Sequence, residues 1–234
     1  LKSVIIRQPA GAGDIFFSQK IAYHYINLGY KIIWPVIKEY SYFDQYLKDI
    51  EYPCRDNDFE LKNIFMSDSK TLQKYDDNIF IPIESATGNK IMKSKYDMVL
   101  LDCNDWKNFF NFNRNYEKED ELFKLMNLIE NEEYNFILNM YASPPNSLID
   151  NRVICDNLNI KTIYMKPIEG YTLFDWCKII ENASYMYLND SSINYLIEKL
   201  NLRIKQKIKL WTRRGSDFSE IDYIFNMNLY DKMT

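Results

Sequence analysis

The chain has 234 residues, 29 Lys and Arg against 33 Asp and Glu, a formal net charge of -4 and one histidine. With no lysine–arginine block or basic face, that balance argues against a nucleic-acid partner. The single histidine disfavours zinc, and no apolar run approaches the ~20 residues of a membrane span. The length suits one medium domain or two small ones, and 19 Tyr, 14 Phe and 4 Trp predict an aromatic core. The four cysteines, Cys54, Cys103, Cys155 and Cys177, form no CxxC, so reduced thiols in a cytoplasmic protein are expected. No leader-like stretch is visible, and Leu1 in first place implies a start further upstream.

Taken in order, Ser3–Arg7 predicts a short buried strand, and Asp14–Leu28 a helix with Phe17, Ile21, Tyr25 and Leu28 on one stripe, closed by Gly29. Lys31–Ile37 predicts a second strand and Tyr42–Leu47 a short helix; Glu51–Lys74 has no clear period. Further strands are expected at Asn78–Ile83 and at Tyr96–Asp102, the latter from the run Met98-Val99-Leu100-Leu101. This alternation predicts a parallel sheet with right-handed crossovers. Asp105–Glu133 is charged and helical, interrupted at 111–116, and reads as a connection between domains.

The pattern then restarts. Strands are expected at Phe136–Tyr141, Ile163–Lys166, Tyr185–Leu188 and Lys207–Trp211, and helices at Leu173–Asn182, Ser191–Leu200 and Ser219–Asn228. The expected organisation is therefore two Rossmann-like α/β domains, residues 1–131 and 132–234, facing a cleft lined by the carboxyl ends of both sheets.

Two segments carry candidate chemistry. The first is Arg7-Gln8-Pro9-Ala10-Gly11-Ala12-Gly13-Asp14-Ile15-Phe16, a small-residue loop entering a helix. It starts like a dinucleotide fingerprint, but Phe16 stands where the third glycine belongs, which disfavours NAD; no Walker loop is present. Asp14 reads either as a helix N-cap or as a general base able to deprotonate an attacking hydroxyl. The second is Asp190-Ser191-Ser192-Ile193-Asn194-Tyr195-Leu196 after a strand. Its exposed N–H groups and two hydroxyls suit a phosphate, while Asp190 or Ser191 serves equally as a helix cap. His24 reads as a packed or surface residue.

Together these segments resemble the heptosyltransferase-like glycosyltransferases, the family of the ADP-heptose transferases of lipopolysaccharide synthesis. Family members open with an apolar strand, Arg and a small-residue loop ending Gly-Asp, here Val4-Ile5-Ile6-Arg7 through Gly13-Asp14-Ile15. Their second domain carries Asp-Ser/Thr-Gly-x-x-His-Leu, here Asp190-Ser191-Ser192-Ile193-Asn194-Tyr195-Leu196. The likeness covers the first ~40 residues and roughly Ile163 to Leu210. It implies a GT-B fold and a nucleotide-sugar donor bound by the second domain. It also implies Asp14 as catalytic base and the Asp-Ser-Ser turn near the donor diphosphate. Ser192 in place of glycine and Tyr195 in place of histidine depart from the family pattern, and the chain is shorter than a typical member.

A GT-B reading further implies no metal or other cofactor, so cations must stabilise the departing diphosphate. Arg213 and Arg214, after the last expected strand, suit that role or that of a solvated pair on a turn. Lys166 and Glu169 follow a strand end and suit the nucleotide ribose or base; Ser143 suits a phosphate. Asp102 and Asp105 flank Cys103-Asn104 after an expected strand but form no metal-binding DxD. The resulting expectation is a metal-independent, inverting glycosyltransferase acting on a glycan or other hydroxyl acceptor. The alternatives are a non-catalytic nucleotide-sugar or glycan-binding protein of the same fold, or a nucleotide-sugar epimerase.

Overall fold

The computed structural model describes residues 2–56, 69–143 and 146–234, without the side chains of 141–143, 146 and 147. Much of the ambiguous 51–74 stretch thus lies outside the described residues. The chain divides into two compact units, Leu1–Asn113 and Arg114–Thr234. This division falls earlier than the boundary expected at 131/132. The helix at 116–125, read from sequence as part of the connection, packs on the second unit's 173–182 segment.

In the first unit, strands β1 (Ser3–Ile6), β2 (Lys31–Ile33), β3 (Gln73–Tyr75) and β4 (Asn78–Ile81) form a sheet of order β2-β1-β4-β3. β1 pairs in parallel with both β2 and β4, and β3 is an antiparallel edge. The expected single helix over 14–28 is two, α1 (Ala12–Phe17) and α2 (Gln19–Asn27), parted at Ser18. Phe17, Ile21 and Tyr25 are buried as the stripe requires, but Leu28 is exposed, because the chain leaves the helix there into Gly29 at φ 84. The short helix near 42–47 is α3 (Phe43–Tyr46).

The strand expected at Tyr96–Asp102 is absent. Helix α4 (Ile91–Asp97) occupies its first residues, and the chain turns at Leu100, which has φ 58 and is 93% exposed. A four-residue apolar run does not separate a buried strand from the end of a helix. Here burial falls on Met92, Lys95 and Tyr96, whose spacing is helical. The core is aromatic: Phe16 stacks on Phe110 at 4.6 Å, Phe17 meets Tyr96 edge-on at 5.0 Å, and Phe43 meets Tyr52 edge-on at 5.7 Å.

The second unit opens with α5 (Tyr116–Leu125), whose N-cap Asn115 accepts from the Lys118 N–H. Strands β5 (Tyr134–Leu138), β8 (Lys161–Tyr164), β9 (Tyr185–Asn189), β10 (Ile208–Trp211) and β11 (Tyr230–Met233) form an all-parallel sheet of order β11-β10-β9-β5-β8. β5 is buried along its whole length, as a strand covered on both faces must be. A small antiparallel hairpin, β6 (Met140–Ser143) with β7 (Asn146–Ile149), leaves the end of β5. The 173–182 helix is a 3-10 turn (Leu173–Trp176) running into α6 (Cys177–Asn182); α7 (Ser192–Ile197) follows β9.

The helix expected at 219–228 is a series of turns. Its apolar residues Ile221, Ile224 and Phe225 are buried as a helical stripe would be, but the chain must straighten into β11, which the sequence reading did not include. All four cysteines are free. Among the described residues no helix is long and apolar enough to cross a membrane, and no His, Cys, Asp and Glu cluster suits a metal.

Candidate functional site

In open parallel sheets, ligands bind outside the carboxyl ends of the strands where the strand order reverses. In the first unit that point lies between β1 and β4. The chain leaves β1 for β2 on one side and returns to β4 on the other. The small-residue loop follows β1 and therefore lies at this switch point. Backbone bonds continue the pairing past the strands, Arg7 N–H to the Ile81 carbonyl at 2.9 Å and Glu84 N–H to the Arg7 carbonyl at 3.2 Å. Arg7 pairs with Glu84, donates to the Ser69 carbonyl at 2.8 Å and to Ser85 Oγ at 3.2 Å, and so ties the loops after β1 and β4 together. Burial lifts the Glu84 pKa, against the pull of Arg7 and Lys95.

Asp14 is not the N-cap. Gly11 takes that position at φ 80, with Gly13 and Asp14 second and third in α1. The Asp14 carboxylate folds back over Gly11 so closely that a Cβ there would lie 2.5 Å from Asp14 Oδ2. Its other oxygen meets Lys95 Nζ at 3.0 Å; the Asp14 side chain is 34% exposed and that of Lys95 2%. Lys95 also donates to Gln8 Oε1 at 2.5 Å and to the Ile83 carbonyl at 3.3 Å. Its three protons thus have three acceptors, and a buried ammonium needs such compensation. The result is a carboxylate with one side open to solvent and a fixed counter-charge behind it. Tyr40 lies beside the loop; burial raises its pKa, and the backbone N–H groups of Ala12 and Gly11 pull the other way.

The second unit has chain order 2-1-3-4-5 across its sheet, counting from β5, and its switch point lies between β5 and β9. Asp190 is the first residue beyond β9, its N–H bonded to the Trp211 carbonyl at 2.9 Å. Arg213 Nε lies 3.3 Å from Asp190 Oδ1. Burial pushes the Asp190 carboxyl up to about 6, although Arg213 and Arg214 both lower it. Ser191 caps α7, and its N–H donates to Asn194 Oδ1 at 2.8 Å. The cap is therefore Ser191, not Asp190. Ser192 is the first residue of α7, which has only six residues. Its help to an anion is thus its first free N–H groups rather than a long aligned dipole. Behind the turn, Asn189 is fully buried, and neither side-chain amide atom has a hydrogen-bond partner among the described residues.

The structure therefore gathers Asp190, Ser191, Ser192 and Arg213, with Arg214 one residue on, 3.9 Å from Glu220. Lys166 and Glu169 stand on an exposed loop after β8, and no contact among the described residues joins either to Asp190. Ser143 ends β6, and its side chain lies outside those described. Tyr195 is buried with its ring edge-on to Phe225 at 4.9 Å. Asp102 and Asp105 do not follow a strand; Lys20 pairs with Asp105 and donates to the Asp102 carbonyl at 2.6 Å. His24 is part-buried, edge-on to Tyr25. Lys95, Gln8 and Asn189 were missed from sequence. Lys95 sat next to a supposed strand, and nothing in the local pattern marks a lysine as buried.

No protein-family model matches the sequence, and no curated protein matches it either. A solved structure does match in fold, that of the glycosyl transferase family 9 protein from Veillonella parvula DSM 2008. The TM-score is 0.52 at 11% sequence identity, over 90% of this chain and 80% of that one. This likeness establishes the expected α/β fold of two units, each built on parallel strands with one antiparallel edge strand in the first, GT-B-like in class.

Proposed function

We propose that this chain is a glycosyltransferase that moves a sugar from a nucleotide-sugar donor to a hydroxyl of a glycan or other acceptor. The observation that carries the reading is topological: both candidate segments, distant in sequence, follow strands at the switch points of the two sheets. The structural likeness to a glycosyl transferase family 9 protein supports it. Asp14 takes the acceptor's proton as general base. The acceptor oxygen then bonds to the anomeric carbon, the bond from that carbon to the donor phosphate breaks, and the nucleoside diphosphate leaves with the electron pair. Arg213, Arg214 and the N–H groups of the first turn of α7 stabilise its charge, so the step needs no metal. The free thiols support a reducing compartment, the cytoplasm.

A panel of nucleotide sugars titrated into ¹⁵N-labelled protein tests the donor site. Shifts at Asp190–Ser192 and Arg213 are expected with at least one member, and silence across the panel counts against the reading. Asp14→Asn should abolish transfer, and donor hydrolysis with it, while the chain still folds, its melting temperature lowered by the loss of the Lys95 counter-charge; an unchanged rate removes Asp14 from the chemistry. A binding protein of the same fold is the second reading, favoured by Tyr195, whose ring is packed in the core. Donor that binds and is never turned over would establish it; donor isomerised without acceptor would indicate an epimerase.

A further inference from the structure

We propose that the first unit carries a separate site for a neutral sugar ring, walled by Tyr23, Phe109 and Phe112. These rings, with Asn108, Asn111 and Asp49, line an open pocket of about 400 Å³, which Lys48 and Asn113 complete. That volume lies within the range of small-molecule sites, roughly 300–1,000 Å³. None of these residues belongs to the Asp14–Lys95 cluster.

The lining matches the two surfaces of a pyranose. A sugar ring has apolar C–H faces, weakly positive, and a rim of hydroxyls that both donate and accept. Aromatic faces are negative and attract such C–H groups; here Tyr23 and Phe109 both line the pocket, their centroids 6.3 Å apart and their planes 42° from parallel. Asn side chains present both donor and acceptor groups, which suits hydroxyls of unknown orientation. The lining has one cation, Lys48, and one anion, Asp49, and so no net charge, and nearby Lys20 is paired with Asp105 beneath Phe109. A phosphorylated ligand would meet Asp49 as well as Lys48 and gain no net attraction from the lining.

The walls are fixed in advance, which lowers the cost of binding. Trp106 and Phe110 anchor the 106–113 segment in the core, Phe110 against Phe16. Asn113 N–H bonds to the Tyr46 carbonyl at 2.7 Å, and Asn111 Nδ2 to the Asn108 carbonyl at 3.2 Å. Asp49 holds a left-handed φ of 65 that brings its Oδ2 to 3.5 Å from Tyr23 Oη. The site does not depend on Asp14 being catalytic, and it stands if the chain transfers no sugar.

The test follows side-chain amide signals of Asn108, Asn111 and Asn113 in the full ¹⁵N-labelled chain during titration with maltotriose, cellotriose and N-acetylchitotriose. At least one should bind with a dissociation constant near or below about 1 mM. Phe109→Ala, at a half-exposed position, should weaken it at least about tenfold, and Tyr23→Phe, which keeps the ring, should weaken it less. Asp14→Asn should leave it unchanged, which separates this site from the catalytic reading. No shift from any of the three sugars at about 10 mM overturns the proposal. So do equal binding in Phe109→Ala, or a preference for glucose 1-phosphate over the neutral sugars.

Discussion

Replacing Asp190 by asparagine separates its electrostatics from its place in the fold. Its carboxyl is lifted from the ordinary 3.8 to about 6, mainly by burial. The folded state therefore holds this proton more tightly than the unfolded state. The contribution to stability is full below about pH 3.8, falls as the pH rises through 6, and is flat above. At about 1.4 kcal/mol per tenfold in proton affinity, the ionised group costs the fold about 1 kcal/mol near pH 4.5 and about 3 kcal/mol near pH 7.5. Asp190→Asn has no such term, so its stability relative to the native chain should rise by about 2 kcal/mol between those two pH values. Hydrogen exchange at the β9 and β10 amides reads the second unit by itself. Parallel pH profiles for the two proteins would refute the reasoning. A linked effect follows for the proposed donor site: a nucleotide-sugar diester, whose phosphates do not titrate in this range, should bind better as the pH falls through 6. In Asp190→Asn that dependence should vanish.

Gly11→Ala places a methyl 2.5 Å from Asp14 Oδ2 at φ 80; a loss of about 1–2 kcal/mol is expected from the left-handed backbone alone, read by urea unfolding, and unchanged stability would deny that the loop needs glycine. Lys95→Met strands the Asp14 carboxylate and Gln8 Oε1. Rupturing a buried pair costs about 3–5 kcal/mol, and the exposure of Asp14 reduces the expected loss to about 2 kcal/mol. A double-mutant cycle with Asp14→Asn should show coupling of at least about 1 kcal/mol, and additivity would sink the pairing. Leu100→Gly should be neutral or stabilise by up to about 1 kcal/mol because Leu100 is exposed and left-handed. A loss of about 2 kcal/mol or more would restore the buried strand expected from sequence.

The parallel strands of the two sheets, β11 excepted, were legible because a strand covered on both faces must be an apolar run. Ser3–Ile6, Tyr134–Leu138 and Tyr185–Asn189 are such runs, and each stands near where its residues place it. The same rule failed at 96–102, where four apolar residues end a helix and leave Leu100 in solvent. It failed again at 219–228, where helical spacing of buried residues belongs to turns that deliver β11. Asp14 and Asp190 were found because strand–small-residue–helix junctions are written in contiguous sequence.

Local sequence thus determined most of the parallel strands, the two junctions and the aromatic character of the core, since each depends on neighbours within a few residues. Tertiary structure alone decided that Gly11 and not Asp14 caps the first helix, and that a lysine eighty-one positions later lies beneath that carboxylate. It also set the strand order that makes both junctions switch points, and brought Arg213 to Asp190. Those features depend on which distant surfaces bury each other, and burial is set by the whole packed unit rather than by any window of sequence.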